Sequence, residues 1–199
     1  MTLKKQGLYL PEFEHDNCGA GFICSLKGKK SNDIIHKALE ILHRLEHRGA
    51  VSADGKTGDG AGILIDIPHD FFKAVCEFEL PEPGEYAVSN MFLPQKENQR
   101  NYCISLFEEN IKKQGLKLLG WRDVPVNRSI PGRIAMETEP FVKQVFIGKE
   151  DADQDIFQFN LKLYVARKVT EHAIIKSKLS ESKYFYLPSL STKIIIFNF

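Results

Sequence analysis

The sequence predicts a domain of layered helices and strands, of the α/β or α+β class. Apolar residues recur at three- and four-residue steps in some segments, whereas other segments are short, apolar and β-branched. The two kinds of segment follow each other in mixed order without an internal repeat. With 199 residues, of which 43% are hydrophobic, the chain is long enough to bury a substantial core.

The first helix is predicted from Ser31 or Asn32, either of which can cap it, to Gly49. Gly49 is expected to end this helix in the left-handed conformation. A strand is expected before the helix, over residues 21–28. The helix prediction depends on one continuous apolar stripe, which consists of Ile34, Ile35, Ala38, Leu39, Ile41, Leu42 and Leu45.

The rest of the chain continues this pattern. An inner strand is predicted at 63–68, and a long helix is predicted from Asp153 to about Lys178, although Phe159, Leu161 and Leu163 are also spaced like a strand. Between these two elements we expect a strand at 85–94, a helix at 95–114 that ends at Gly115, and a further segment of the alternating helices and strands at 116–126. A helix start at 131–140 and a strand at 141–148 follow. After the long helix we expect one or two strands in 183–199.

Charge and composition exclude several functional classes. The 27 basic and 26 acidic residues are well mixed, so no basic field is available to hold nucleic acid. No apolar run has the length of a membrane span, and residues 1–17 lack the apolar core of a secretory signal. We therefore expect a cytoplasmic protein. Its four cysteines include no CxxC pair, which indicates neither a disulfide framework nor a metal site.

Cys18 begins the short string CGAGF and is the main candidate for chemistry. A lone cysteine in such a chain is most simply a buried core residue. If residues 1–17 were removed, however, Cys18 would carry a free α-amine beside its own thiol. An α-amine with a pKa of about 7.7–8.0 is suited to accept the proton of a thiol with a pKa of about 8.5.

Three motifs occur together in the first third of the chain: NCGAGF at Cys18, HRGA at Arg48 and TGDGAGI around Asp59. Together they resemble the N-terminal glutamine amidotransferase domain of the class II, or N-terminal nucleophile, type. Residues 18–68 are similar in particular to the glutamate synthase large subunit, and 132–147 and 185–193 more loosely so. The resemblance implies an α+β fold, a layered αββα sandwich that is incomplete at the C-terminus. Residues 1–17 would be a propeptide, and 18–199 the N-terminal part of the domain.

The resemblance also implies roles for individual residues. Cys18 would attack the side-chain amide of glutamine and release ammonia. Gly19 and Gly21 would let the backbone pass close to substrate and neighbouring strands. Arg48 would orient the backbone of the nucleophile, and Asp59 would hydrogen-bond amides of its loop or hold Arg48. The alternatives are a plain turn for the glycines, a solvated arginine at a helix end, and a turn-forming aspartate.

Two motifs of the family do not occur in these 199 residues: an RFSTN-like strand, whose arginine binds the glutamine carboxylate, and an NGE-like oxyanion hole. We therefore expect this part alone to be inactive. The family implies FMN and an iron–sulfur cluster elsewhere in the synthase, with no cofactor or metal in this segment. The implied partners are glutamine, the rest of the synthase chain, and a small NADPH-oxidising subunit or ferredoxin. Nucleic acid and membrane are not expected partners, and a plastid location is also compatible. The alternatives are a glutamine-dependent transferase of the same superfamily, an inactive remnant and an interaction module.

Overall fold

The computed structural model describes residue 7 and residues 19–151 and 153–198. These form two compact units, one that ends at Ala61 and one that begins at Gly62. The described residues contain five α-helices and five strands, and every strand pair is antiparallel, which confirms the predicted mixed α and β class. None of the helices described is both long enough and apolar enough to cross a membrane.

Helix α1 of the first unit spans Asn32–Arg44 and begins as predicted, because the Ser31 hydroxyl accepts a hydrogen bond from the Ile34 amide at 3.4 Å. Its end differs from the prediction. A 3₁₀ turn, Glu46–Arg48, follows Leu45, and Gly49 has an ordinary φ of −90°. The tightened turn satisfies the last carbonyls of the helix, so no left-handed residue is required.

The strand predicted over residues 21–28 does not form. These residues have no regular structure apart from a turn at 26–27. The side chains of Phe22 and Leu26 are 90% and 100% exposed, and no described strand pairs with this segment. An extended segment becomes a β-strand only when a neighbour takes its backbone hydrogen bonds, and local alternation of residues does not provide that neighbour.

The second unit contains two sheets. Strands β2 (Tyr86–Leu93), β3 (Leu116–Asp123) and β4 (Phe141–Lys149) form a three-stranded sheet in the order β2-β4-β3. Strands β1 (Gly62–Asp66) and β5 (Ile194–Asn198) form a separate pair. The prediction of β1 as an inner strand is wrong, since its only strand partner among the described residues is β5 and its central Leu64 is 58% exposed.

Four helices connect these strands. Helix α2 spans His69–Val75, α3 spans Glu97–Lys113, α4 spans Arg133–Glu137 and α5 spans Ile156–Lys176. Gly115, with φ +62°, follows the end of α3 as predicted. The long helix is also confirmed, because α5 is continuous through the residues that were spaced like a strand.

The core of the second unit lies in two layers on opposite faces of the three-stranded sheet. Helices α3 and α5 contribute Phe107, Phe159 and Leu163 to the larger layer, where they pack against β2 and β4. The smaller layer contains Phe72 of α2 and Ile195 of β5, packed against the other face. The second unit therefore has the layer order helix, sheet, sheet, which is consistent with an N-terminal nucleophile fold.

Candidate active site

The segment that immediately follows Cys18 lies against helix α1. Cys18 itself and residues 8–17 are outside the described residues, whereas Gly19 and Gly21 are described. A Cβ atom added to Gly19 would lie 3.1 Å from Leu45 Cδ2, and one added to Gly21 would lie 2.6 Å from Ile41 Cγ2. Neither glycine has a positive φ, so close approach and not backbone conformation excludes a side chain here.

This contact differs from the one expected for the two glycines. The sequence led us to expect close approach to substrate and to neighbouring strands, but the neighbour in the structure is the helix. The aliphatic Cδ of Arg48 completes the contact, at 3.4 Å from the position of a Cβ on Gly19. The structure therefore brings together two of the predicted site residues, Gly19 and Arg48.

Arg48 lies at the end of the 3₁₀ turn, and its backbone amide donates to the Leu45 carbonyl at 2.9 Å. The side chain is exposed, and its guanidinium makes no hydrogen bond or ion pair with any residue that the structure describes. The role of Arg48 in orienting the nucleophile stays a prediction.

Asp59 closes the base of a narrow loop. Its Oδ2 accepts a hydrogen bond from the Ala50 amide at 2.8 Å, and an isolated bridge joins Val51 to Gly58 just above it. Of the two roles expected for Asp59, the structure shows the bond to a backbone amide and no ion pair with Arg48 among the described residues. Because Ala50 comes two residues after Arg48, Asp59 ties down the chain next to that arginine.

The tip of this loop is held by a second aspartate that the sequence analysis did not single out. Asp54 accepts hydrogen bonds from the Thr57 amide at 2.8 Å and from the Lys56 amide at 3.1 Å, and Gly55 adopts φ +70° between them. The sequence DGKT was the available signal, since aspartate followed by glycine is typical of a tight turn. Side-chain carboxylates therefore fix both the base and the tip of the loop after Arg48.

The three cysteines that the structure describes are poor candidates for a nucleophile. Burial raises the pKa of the Cys76 thiol, although the nearby Arg122 charge opposes the shift, and burial raises the pKa of Cys103 to about 11. A higher pKa lowers the thiolate fraction, and the thiolate is the reactive form. Cys24 is exposed. None of these three thiols lies beside an α-amine. They differ in this respect from Cys18, which would become the N-terminal residue if residues 1–17 were removed.

Three histidines of helix α1 and the turn that follows it have polar neighbours within those two elements. His36 Nε2 lies 2.9 Å from Asn32 Nδ2, His43 lies 3.4 Å from a Glu46 carboxylate oxygen, and His47 Nδ1 lies 2.9 Å from the Arg44 carbonyl. Across residues 19–151 and 153–198, no group of three or more His, Cys, Asp or Glu side chains could hold a metal ion.

Comparisons of the sequence with those of known proteins identify the family of this chain. A sequence model described as "Glutamine amidotransferases class-II" matches residues 18–198. The large chain of glutamate synthase (NADPH) from Bacillus subtilis is 44% identical over 98% of this chain and 13% of its own length. Glutamate synthase (NADH) from Saccharomyces cerevisiae is 38% identical over 97% of this chain and 9% of its own. Ferredoxin-dependent glutamate synthase 2, chloroplastic, from Arabidopsis thaliana is 36% identical over 98% of this chain and 12% of its own.

The chain therefore spans 9–13% of the length of these relatives. The family match covers nearly all of the chain and begins at the cysteine singled out from the sequence. This chain belongs to the class-II glutamine amidotransferase family.

Proposed function

We propose that this chain supplies the nucleophile-bearing part of the glutaminase domain of a glutamate synthase, which hydrolyses glutamine to glutamate and ammonia. One observation carries the proposal: the class-II family match begins at Cys18. Glutamate synthases named for NADPH, for NADH and for ferredoxin all match over 92–98% of the chain. The similarity is thus common to synthases with different electron donors, as expected for the part that uses glutamine.

Removal of residues 1–17 is the activating step in this proposal. An internal peptide nitrogen is not basic, whereas an α-amine with a pKa of about 7.7–8.0 accepts a proton near neutral pH. The first residue of the family match supports the same boundary, because the match excludes the preceding segment. Cleavage would therefore give Cys18 a thiol nucleophile and a general base on one α-carbon.

The chemistry that follows conserves atoms at each step. The Cys18 sulfur bonds to the side-chain amide carbon of glutamine after its proton passes to the α-amine. The C–N bond then breaks, and the nitrogen takes that proton and leaves as ammonia. Water attacks the resulting γ-glutamyl thioester, breaks the C–S bond and releases glutamate with the free thiol.

The other site residues support the nucleophile in this scheme. Gly19 allows the chain to lie directly on Leu45 and on the Arg48 stem. The Arg48 guanidinium would orient the backbone at Cys18 with its N–H groups. Asp59 holds the Ala50 amide at 2.8 Å and so limits the movement of the turn that bears Arg48. Arg48 and Asp59 are positioning residues, since neither is proposed to bond with the reacting atoms.

The described residues do not fit the iron–sulfur cluster that the family implies for the whole enzyme. Such clusters are commonly held by four cysteine thiolates, but Cys24, Cys76 and Cys103 are respectively exposed, half-buried and buried, in different parts of the chain. The glycine loop before β1 precedes a strand and lacks the GK[ST] ending of a phosphate-binding loop. The glutamine chemistry proposed for this part of the protein therefore uses neither FMN nor a cluster.

The remainder of the synthase chain is the main partner in the proposal. The matched relatives are roughly an order of magnitude longer than this chain, since it covers 9–13% of their length. In the whole enzyme, ammonia released at Cys18 would reductively aminate 2-oxoglutarate at a second site. Electrons would come from a small NADPH-oxidising subunit or from ferredoxin.

The test uses the full synthase polypeptide and compares Cys18→Ser with Cys24→Ser, a change at an exposed cysteine. We expect Cys18→Ser to abolish glutamine-dependent glutamate formation and to retain the ammonia-dependent reaction, while Cys24→Ser retains both. An electrophilic glutamine analogue should label Cys18, and intact mass should place the mature N-terminus there. Labelling of another residue, or full glutamine use by a chain that keeps residues 1–17, would refute the proposal. Ammonia transfer to a sugar or ribose phosphate instead of 2-oxoglutarate would identify a transferase of the same superfamily.

A further inference from the structure

We propose that Ile41 of helix α1 and Leu45, the residue that follows this helix, form an apolar seat that positions the nucleophile through Gly19 and Gly21. The inference rests on the proposed function, because it assigns the seat to the Cys18 nucleophile. Its basis is the close approach of two glycine backbones to two side chains one helical turn apart. Ile41 and Leu45 are positioning residues in this proposal, and neither is expected to touch the substrate.

The spacing of the two glycines matches the spacing of the two side chains. Residues i and i+2 of an extended chain are about 6.6 Å apart, and residues i and i+4 of a helix rise by about 6 Å. Gly21 meets Ile41 and Gly19 meets Leu45, so the segment runs antiparallel to α1 in register with it. The next residue towards the N-terminus is Cys18.

The contacts leave no free room for a side chain at Gly21 and little room at Gly19. A Cβ on Gly21 would lie 2.6 Å from Ile41 Cγ2, and one on Gly19 would lie 3.1 and 3.3 Å from the two Cδ atoms of Leu45. A Cβ on Gly21 would force the segment or Ile41 to shift, whereas one on Gly19 would require Leu45 to move by only a few tenths of an ångström. A shift of about 1 Å in a reacting group can reduce a rate by about a hundredfold, because catalysis depends on near-attack geometry.

The seat contributes little to a hydrophobic core. Helix α1 has no buried residue, and Ile41 and Leu45 are each only half-buried. The helix is held instead by its Ser31 cap and by exposed pairs one turn apart, such as Lys37 with Asp33 at 2.7 Å. Because these apolar side chains contact the two glycines, they are suited to fix the distance between the helix and the backbone that bears Cys18.

The test is a steric rescue in the full-length synthase. Gly21→Ala should lower kcat of the glutamine-dependent reaction at least tenfold, with KM for glutamine changed less than threefold and the ammonia-dependent rate unchanged. Adding Ile41→Ala removes Cγ2 and should restore most of the lost kcat. Adding Ile41→Val keeps a methyl at the Cγ2 position and should not restore it.

A second pair of variants tests the seat without introducing a clash. Leu45→Ala leaves a gap under Gly19 and should lower glutamine-dependent kcat several-fold while the ammonia-dependent rate is retained. Leu39→Ala is the matched control, since this leucine of helix α1 is 37% exposed and is not among the nearest neighbours of a Cβ on either glycine. It should leave both rates unchanged.

The outcomes separate the seat from the proposed function. Full glutamine-dependent activity in Gly21→Ala and Leu45→Ala, or equal rescue by Ile41→Ala and Ile41→Val, would overturn the seat. Equal loss of both reactions in Leu45→Ala would also overturn it, because positioning of the nucleophile affects only glutamine use. Retention of glutamine use by Cys18→Ser would instead refute the proposed function.

Discussion

Replacing Gln144 by leucine should destabilise the protein, because this residue is the centre of a buried row of polar side chains. Gln144 is 1% exposed on β4; its Nε2 donates to Asn90 Oδ1 on β2 at 2.9 Å, and its Oε1 accepts from Arg122 on β3 at 2.8 Å. Asn90 in turn donates to the Ile196 carbonyl on β5 at 2.6 Å. Each amide both accepts and donates, so the row connects the three-stranded sheet to the β1–β5 pair.

The expected loss is about 2 kcal/mol. Leucine would leave Asn90 Oδ1 without a partner at a residue that is 4% exposed, and an unpaired buried acceptor costs about 1–3 kcal/mol. Arg122 is half-buried, so water can replace part of its lost bond, at a cost of roughly 1 kcal/mol. The apolar surface of leucine offsets about 1 kcal/mol of this total.

Urea unfolding followed by the fluorescence of Trp121, the only tryptophan in the sequence, measures this loss. A change of about 2 kcal/mol shifts the midpoint by about 1 M at the m-values usual for small domains. Lys143→Leu on the same strand is the control. Its ion pair with Asp123, whose side chain is 75% exposed, should be worth less than about 1 kcal/mol. A Gln144→Leu midpoint no lower than that of the control would refute the reasoning.

Three further predictions test other parts of the structure. Gly115→Ala should lower the unfolding free energy by roughly 1 kcal/mol, because alanine resists φ +62°, and an unchanged urea midpoint would contradict it. At pH 8 iodoacetamide should modify exposed Cys24 but not native Cys103, whose pKa of about 11 leaves roughly a thousandth as thiolate; equal labelling by peptide mass spectrometry would disagree. Burial raises the pKa of Glu171, but hydrogen bonds from a lysine and an arginine of α5 outweigh it, so the folded pKa is lowered. The stability that this carboxylate contributes is present above its unfolded pKa of about 4.3 and is lost as pH falls through the folded pKa. Glu171→Gln should therefore lower the free energy of unfolding by roughly 1 kcal/mol at pH 7 and by little at pH 3. An equal loss at both pH values would contradict this prediction.

Helices with strong local signals were predicted well from the sequence. Ser31 caps α1, Gly115 follows α3, and α5 spans Ile156–Lys176 within the predicted 153–178. In each case the determining interactions lie within one or two turns of the residue itself. A side-chain cap, a left-handed glycine and a long apolar periodicity need no distant partner to act.

Two predictions that depended on a distant partner were wrong. The alternating residues 21–28 do not form a strand, and β1 is not an inner strand although its residues are apolar and β-branched. The sequence of β1 permits either position in a sheet. Its pairing with β5, some 130 residues later in the chain, decides which position it takes.

The candidate site shows the same division. The sequence alone predicted the class-II motifs at Cys18, Arg48 and Asp59, because these depend on residue type and spacing, and the roles of the three residues stay predictions. Only the tertiary structure showed that Asp59 bonds to Ala50 and that Gly19 and Gly21 lie on Leu45 and Ile41. A sequence specifies which residues lack a side chain, but the packing of one segment against another decides which atoms occupy the space left free.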